Sequence, residues 1–300
     1  MNVPIDPIPR APGPWSDATP PVHPHVSGRA TTAPDPSVGV VSLAGRPARA
    51  IVNAVQATGL TRTFGQVLAL DSIDLAIPRG SFYGIAGQSG AGKTTLIRVL
   101  IGLLWPDSGN AVIDGVKVWP DPDEAKQHVG FLPDKPVLFD RLTGAEMLEY
   151  VGLLRRMEPV LVRQRAAELL RALDLEPARD RPIAAYSPGM AKRIGLAVAL
   201  LHAPRVLVLD EPFVALDQDN ARVVEDVLHR HRQAGGTVIM SSRTVDVVQR
   251  LCDRAVVIDR GRVSAEGTVA ELGLGRTPQH AFADHLGGPE VQADLRVKAG

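Results

Sequence analysis

A single cysteine, Cys252, is all the chain has, which excludes an intrachain disulfide and any multi-cysteine metal site. Neither sign of charge is in excess. The 33 Lys and Arg are balanced by 33 Asp and Glu, so nothing marks a dedicated nucleic-acid binder. No apolar run reaches the roughly 18 residues that a membrane span needs. The first residues also lack a basic stretch followed by an apolar one, the mark of a secretory signal. The expectation is a chain of the cytosol that forms no membrane path by itself. What is present is 45% apolar residues in 300, enough to bury the core of one large domain or two modest ones.

Proline is unevenly spread, with 11 of 25 in residues 1–50 among small polar side chains. Such a stretch buries too little apolar surface to offset its ordering entropy. It is expected to be a disordered, polyproline-like extension with His23-Pro24-His25 as plain linker, and a passive tail rather than the alternative, an arm that docks in a partner's aromatic-lined groove. From Ile51 the pattern turns to short β-branched runs and then to strands alternating with helical stretches. That alternation predicts an α/β domain over 51–287 built on a mostly parallel sheet, with 288–300 as a loose tail. Strands are expected at 51–58, 66–77, 81–86, 111–119, 128–132, 205–209, 237–241 and 255–259. Helices are expected at 93–104, 143–156, 160–174, 188–202, 218–234 and 244–252. A helical insert over about 135–186 opens on Thr143 and Glu146, spaced as a capping box.

The apolar strand ending at Ala86 runs into Gly87-Gln88-Ser89-Gly90-Ala91-Gly92-Lys93-Thr94-Thr95 and then an apolar helix. This is a GxxxxGK[ST] loop in the strand–loop–helix context it requires. Its glycines let successive N–H groups point inward, and the helix N-terminus adds partial positive charge. Lys93 suits the β- and γ-phosphates of a nucleotide and the Thr94 hydroxyl suits Mg²⁺. A second strand, Val206 to Leu209, is apolar throughout and ends in Asp210-Glu211-Pro212. Ligands of open α/β sheets sit at such carboxyl ends. Asp210 therefore suits the metal and Glu211 the activation of an attacking water. Ser187 is placed as N-cap and Pro188 as first residue of the helix that continues through Gly189 and Met190, making a helix N-terminus able to bind an anion.

Taken in this order, the P-loop, the capped Ser-Pro-Gly-Met helix and the Leu-Asp-Glu-Pro strand resemble the nucleotide-binding subunit of ATP-binding cassette (ABC) transporters. The resemblance spans about 51–270. Leu251-Cys252-Asp253-Arg254 and Arg260-Gly261-Arg262 resemble the drug- and antibiotic-export branch. It implies a P-loop NTPase of the ABC type, with an antiparallel β subdomain and a helical insert beside the parallel core. It also implies an ATPase using ATP and Mg²⁺, and a head-to-tail dimer, homomeric or heteromeric, below a separate integral membrane permease at the cytosolic face. Phe64 would stack on adenine. Ser187, Pro188, Gly189 and Met190 would meet the partner's ATP, and Asp217 would lie in the loop crossing between sites. The permease's coupling segment would sit near Leu138, Phe139, Tyr150 and Leu153. Soluble ABC proteins of translation or DNA repair generally fuse two cassettes or insert a long coiled coil, and neither is present.

Two positions depart from that family's pattern. Pro133-Asp134 stands where a Gln is usual, and Asp134 still offers a hard oxygen to a cation. Arg243, after Ser241-Ser242, stands where His is usual. Arginine is permanently charged and fork-shaped, so it cannot copy a neutral imidazole. Either it clamps the γ-phosphate or it pairs with Glu211 and quenches the base. Slow hydrolysis is the expectation, and an ATP-binding switch with little turnover the alternative.

Overall fold

The computed structural model describes residues 53–273; the expected extension over 1–50 and tail over 288–300 lie outside them. Two sheets are present among the described residues. The first is antiparallel, built from β1 (Asn53–Phe64), β2 (Val67–Pro78), β4 (Ser108–Ile113) and β5 (Val116–Lys117) in the order β2-β1-β4-β5. The second has six strands in the order β10-β9-β3-β8-β7-β6. They are β3 (Phe82–Ala86), β6 (Val129–Leu132), β7 (Val206–Leu209), β8 (Thr237–Ser242), β9 (Arg254–Asp259) and β10 (Arg262–Thr268). From β9 to β6 every pairing is parallel, and β10 adds an antiparallel edge.

The apolar runs of the parallel strands are explained by what covers them. Side chains alternate between sheet faces, and here both faces are packed. Phe82, Leu207, Leu209, Val238 and Met240 join one core with helices α3 (Gly144–Leu154), α4 (Pro159–Ala172), α5 (Pro188–Leu200), α6 (Gln218–Gln233) and α7 (Val245–Leu251). Tyr83, Ile85, Val206, Val208 and Ile239 join a second core with α1 (Lys93–Leu100) and the antiparallel sheet. A strand buried on both faces has no position for a polar residue, and β7 is buried at all four positions.

The expected insert region holds α3 and α4, and Thr143 forms both halves of the capping box with Glu146. Several boundaries differ from expectation. The strand expected over 111–119 breaks at Asp114-Gly115, both at positive φ (+53° and +88°), which is the two-residue hairpin signal of an Asp-Gly pair. The strand expected over 51–58 runs on to Phe64, through irregular register near Gly59. The helix expected to reach 104 ends at Leu100, followed by Gly102 at φ +75°. A short helix α2 (Asp123–Gln127) and strand β10 were not expected. β10 is an edge strand of alternating exposure, and so lacks an apolar run.

Asp114 joins the two sheets electrostatically. Its side chain is fully buried and pairs with Arg79, with Arg205 Nη1 at 2.6 Å and with His128 Nδ1 at 3.2 Å. Burial pushes its carboxyl up, but the hydrogen bonds from Arg205 and Arg79 outweigh burial and hold it below the usual carboxylate range. A depressed carboxylate stabilises above its unfolded pKa and loses that contribution as pH falls through the folded value. Asp114→Asn is expected to cost about 1–3 kcal/mol at pH 7, near the lower figure because both arginines are partly solvated. The gap to wild type should close in urea titrations below about pH 4.

Candidate nucleotide site

The parallel strands β3, β6, β7 and β8 are neighbours, so their carboxyl ends open on one edge. β3 feeds the glycine-rich loop and α1. A Cβ at Gly92, which sits at φ +107°, would lie 2.6 Å from Ala69 O, and one at Gly87 would lie 2.4 Å from Ile258 O. The loop is therefore pressed against the backbones of β2 and β9, and only glycine fits these two positions. Lys93 is buried, and its Nζ donates to Gly87 O at 2.8 Å and Gln88 O at 3.0 Å. Burial draws the Lys93 ammonium below its ordinary pKa; Glu211, 3.8 Å away, opposes this, and Arg243 adds to it.

A chain of hydrogen bonds crosses from α1 to the acidic strand end. Thr94 Oγ1 donates to Asp210 Oδ2 at 2.8 Å, Ser241 Oγ donates to Asp210 Oδ1 at 2.6 Å, and Glu211 N donates to Ser241 Oγ at 2.9 Å. Asp210 is 2% exposed, so these hydroxyls replace the water it has lost. Glu211 follows in the left-handed region, at φ +47°. Its carboxylate accepts from Arg243 Nε at 3.1 Å and from Arg243 N at 3.4 Å.

Ser89, Gly90, Gly92, Lys93, Thr94, Thr95, Asp134, Glu211 and Arg243 line one cleft of about 500 Å³. Its wall toward the antiparallel sheet is Val67, Leu68 and Ala69, with Arg260 and Gly261 from the β9–β10 turn. Gly87, Gln88 and Ala91 are not among the lining residues; the carbonyls of the first two hold Lys93. Phe64 is not among the lining residues; it is half exposed, with Arg62 stacked 4.9 Å over its ring.

The remaining expected residues lie at helix starts. Ser187 caps α5 by accepting from Met190 N at 3.2 Å, with Pro188 in the first turn. Asp217 caps α6 by accepting from Asn220 N at 2.8 Å, which holds its carboxyl below the usual range. A Cβ at Gly189 would stand 3.4 Å from Asn220 Nδ2, so the two caps adjoin. Sequence reasoning assigned no role to Ser241, whose only signal is a hydroxyl closing a buried strand. Arg260 and Lys192 were also missed, because their places depend on contacts distant in the chain.

A parallel sheet, a P-loop with its lysine folded inward, and a Thr–carboxylate pair joining the helix after that loop to the end of β7 define a P-loop nucleotide-binding protein. Comparison with known proteins narrows the class. The family profile described as ABC transporter matches residues 70–214. The daunorubicin/doxorubicin resistance ATP-binding protein DrrA of Streptomyces peucetius is 39% identical over 219 residues, 73% of this chain and 66% of that protein. DrrA3 of Streptomyces coeruleorubidus, a daunorubicin resistance ATP-binding protein, is 37% identical over 73% of this chain and 69% of its own length. The linearmycin resistance ATP-binding protein LnrL of Bacillus subtilis is 33% identical, covering 73% and 70%. The chain thus spans about two thirds of the length of these curated relatives. A solved ATP-binding subunit of an ABC transporter superposes with TM-score 0.70 at 26% identity, covering 81% of this chain and 99% of that one. A dimeric ATP-binding cassette bound to ADP and Pi superposes with TM-score 0.66 at 26% identity, covering 72% and 98%. The chain belongs to the ABC transporter family, in the ATP-binding branch shared with the drug-resistance proteins.

Ser241→Ala would leave the Glu211 N–H and one Asp210 oxygen without partners in a dry site. It is expected to lower stability by about 1–3 kcal/mol. The shift in Tm on adding Mg-ATP should also shrink, which differential scanning fluorimetry with and without nucleotide would register.

Proposed function

We propose that this chain is the ATP-hydrolysing subunit of a drug exporter, acting as a head-to-tail dimer beneath a separate membrane permease. The observation that carries this reading is the Glu211 carboxylate, held in the cleft between Lys93 and Arg243 and beside the Thr94–Asp210 pair. The P-loop amides and Lys93 bind the β- and γ-phosphates. Thr94 and Asp210 present hard oxygens 2.8 Å apart, and Asp134 adds another on the cleft wall; these are the residues that would hold Mg²⁺, directly or through water. When bound, that ion supplies charge neutralisation at the phosphates. Glu211 orients and deprotonates the attacking water. ATP between two subunits meets the capped α5 start, Ser187 to Met190, of the other subunit, and Asp217 lies between the sites. Closing and reopening of this dimer drives the permease.

Arg243 serves both roles that its sequence position left open. Its Nε and main-chain N–H hold Glu211, while the guanidinium has four further N–H donors for a γ-phosphate. Its permanent charge makes Glu211 a weaker base, so turnover is slow. The family likeness does not support the alternative of a degenerate switch, and the intact carboxylate facing the cleft argues against it. Export of a drug is the reading that the relatives' names, daunorubicin/doxorubicin and linearmycin resistance ATP-binding proteins, support. The permease contact is Phe139, 53% exposed and edge-on to Tyr150 at 5.2 Å, with Leu153, 72% exposed; exposed apolar groups of this size mark a contact surface.

Steady-state Mg-ATP hydrolysis tests the chemistry. Glu211→Gln should lower kcat by about 10²–10⁴ with nucleotide affinity kept, and Arg243→His should match or exceed wild type. A wild type that stays silent with its permease, while Arg243→His turns over, would establish the switch instead. Leu153→Glu should abolish copurification with the permease and leave ATP binding unchanged; retained copurification would exclude this surface.

A further inference from the structure

Lys192 is a buried cation that the chemistry above does not use. It lies one turn into α5, its side chain is 6% exposed, and it is not among the residues lining the cleft. Its Nζ donates to the main-chain carbonyl of Asp134 and, at 3.2 Å, to that of Glu211, and it lies 3.7 Å from Asp134 Oδ1. One ammonium from α5 therefore grips the loops that follow β6 and β7, the two loops that present carboxylates to the nucleotide. Burial draws the Lys192 ammonium below its ordinary pKa, and the nearby Asp134, Asp210 and Glu211 oppose that. Hiding an ammonium from water is expensive unless its donors are met by oxygens, and here they are.

Glu211 needs such a grip. A non-glycine residue at φ +47° is held there only when its surroundings over-determine it. Ser241 takes its N–H, Arg243 its carboxylate and Lys192 its carbonyl, so the end of β8 and helix α5 together fix one residue. We infer that Lys192 is a positioning residue that holds the backbones of Asp134 and Glu211 so that both carboxylates face the nucleotide. The second consequence rests on the dimeric ATPase proposed above. The α5 N-terminus that meets the partner's nucleotide is bonded through Lys192 to the acid residues of its own site, so a displacement at one nucleotide reaches the other along one helix.

The test compares Lys192→Met, which removes the donors and keeps the stem, with Lys192→Arg, which restores donors and charge. In the nucleotide-free full chain, hydrogen exchange of the segments after β6 and β7 should speed up about tenfold in Lys192→Met relative to β3, and Lys192→Arg should reverse it. In turnover, Lys192→Met should lower kcat about 10–100-fold with KM changed less than about threefold, because a misplaced base costs rate rather than affinity. Unchanged exchange and kcat in Lys192→Met overturn the inference, as does a loss that Lys192→Arg fails to recover. If Lys192→Met does not fold, Lys192→Gln carries the same two readouts. A wild type without ATPase activity would sink the proposed function while leaving the exchange comparison decisive for Lys192.

Discussion

A carboxylate shut away from water organises this protein. Asp210 closes strand β7 at 2% exposure, and its two oxygens are satisfied by hydroxyls from different parts of the fold, Thr94 of α1 and Ser241 of β8. Burial without those partners would be prohibitive, so the P-loop helix and two parallel strands must meet at one point. Ser241 extends the chain to the Glu211 N–H, and the spacing between the Asp210 and Glu211 positions is thereby set by hydrogen bonds. Because the sheet is covered on both faces, the strand ends have little freedom to separate.

Charge is managed around that point by pairing. Lys93 and Lys192 are both buried, and each is drawn below its ordinary pKa by burial while acidic neighbours oppose the shift. Their ammonium groups end on backbone carbonyls, Lys93 at Gly87 and Gln88, Lys192 at Asp134 and Glu211. Arg243 completes the arrangement with a fixed positive charge against Glu211. In this chain an arginine fills a place where the family's pattern has an imidazole, and its Nε and main-chain N–H both meet the Glu211 carboxylate.

Much of this was legible along the chain. The glycine spacing, the strand before it and the apolar helix after it marked the P-loop, because a phosphate cradle needs small residues, inward amides and a helix start in consecutive positions. β7 was legible because burial on both faces forbids polar residues. The capping box at Thr143 and the Ser187–Pro188 helix start were likewise local. The Asp114-Gly115 hairpin and β10 were less so: the first was hidden within an apparently continuous β-branched run, and the second is an edge strand with no apolar stripe.

The sequence by itself determined the fold class, the glycine-rich loop and the place of Asp210 and Glu211 at the end of a buried strand, since each is written in residues a few positions apart. Only the tertiary structure decided what Arg243 touches, that Phe64 stands outside the cleft lining while Val67, Leu68 and Arg260 are in it, and that Lys192 binds the loops of Asp134 and Glu211. Those facts depend on contacts between residues 19 to more than 150 positions apart. Periodicity and spacing carry no information about such pairs, because they are set by how two sheets and their helices pack against each other.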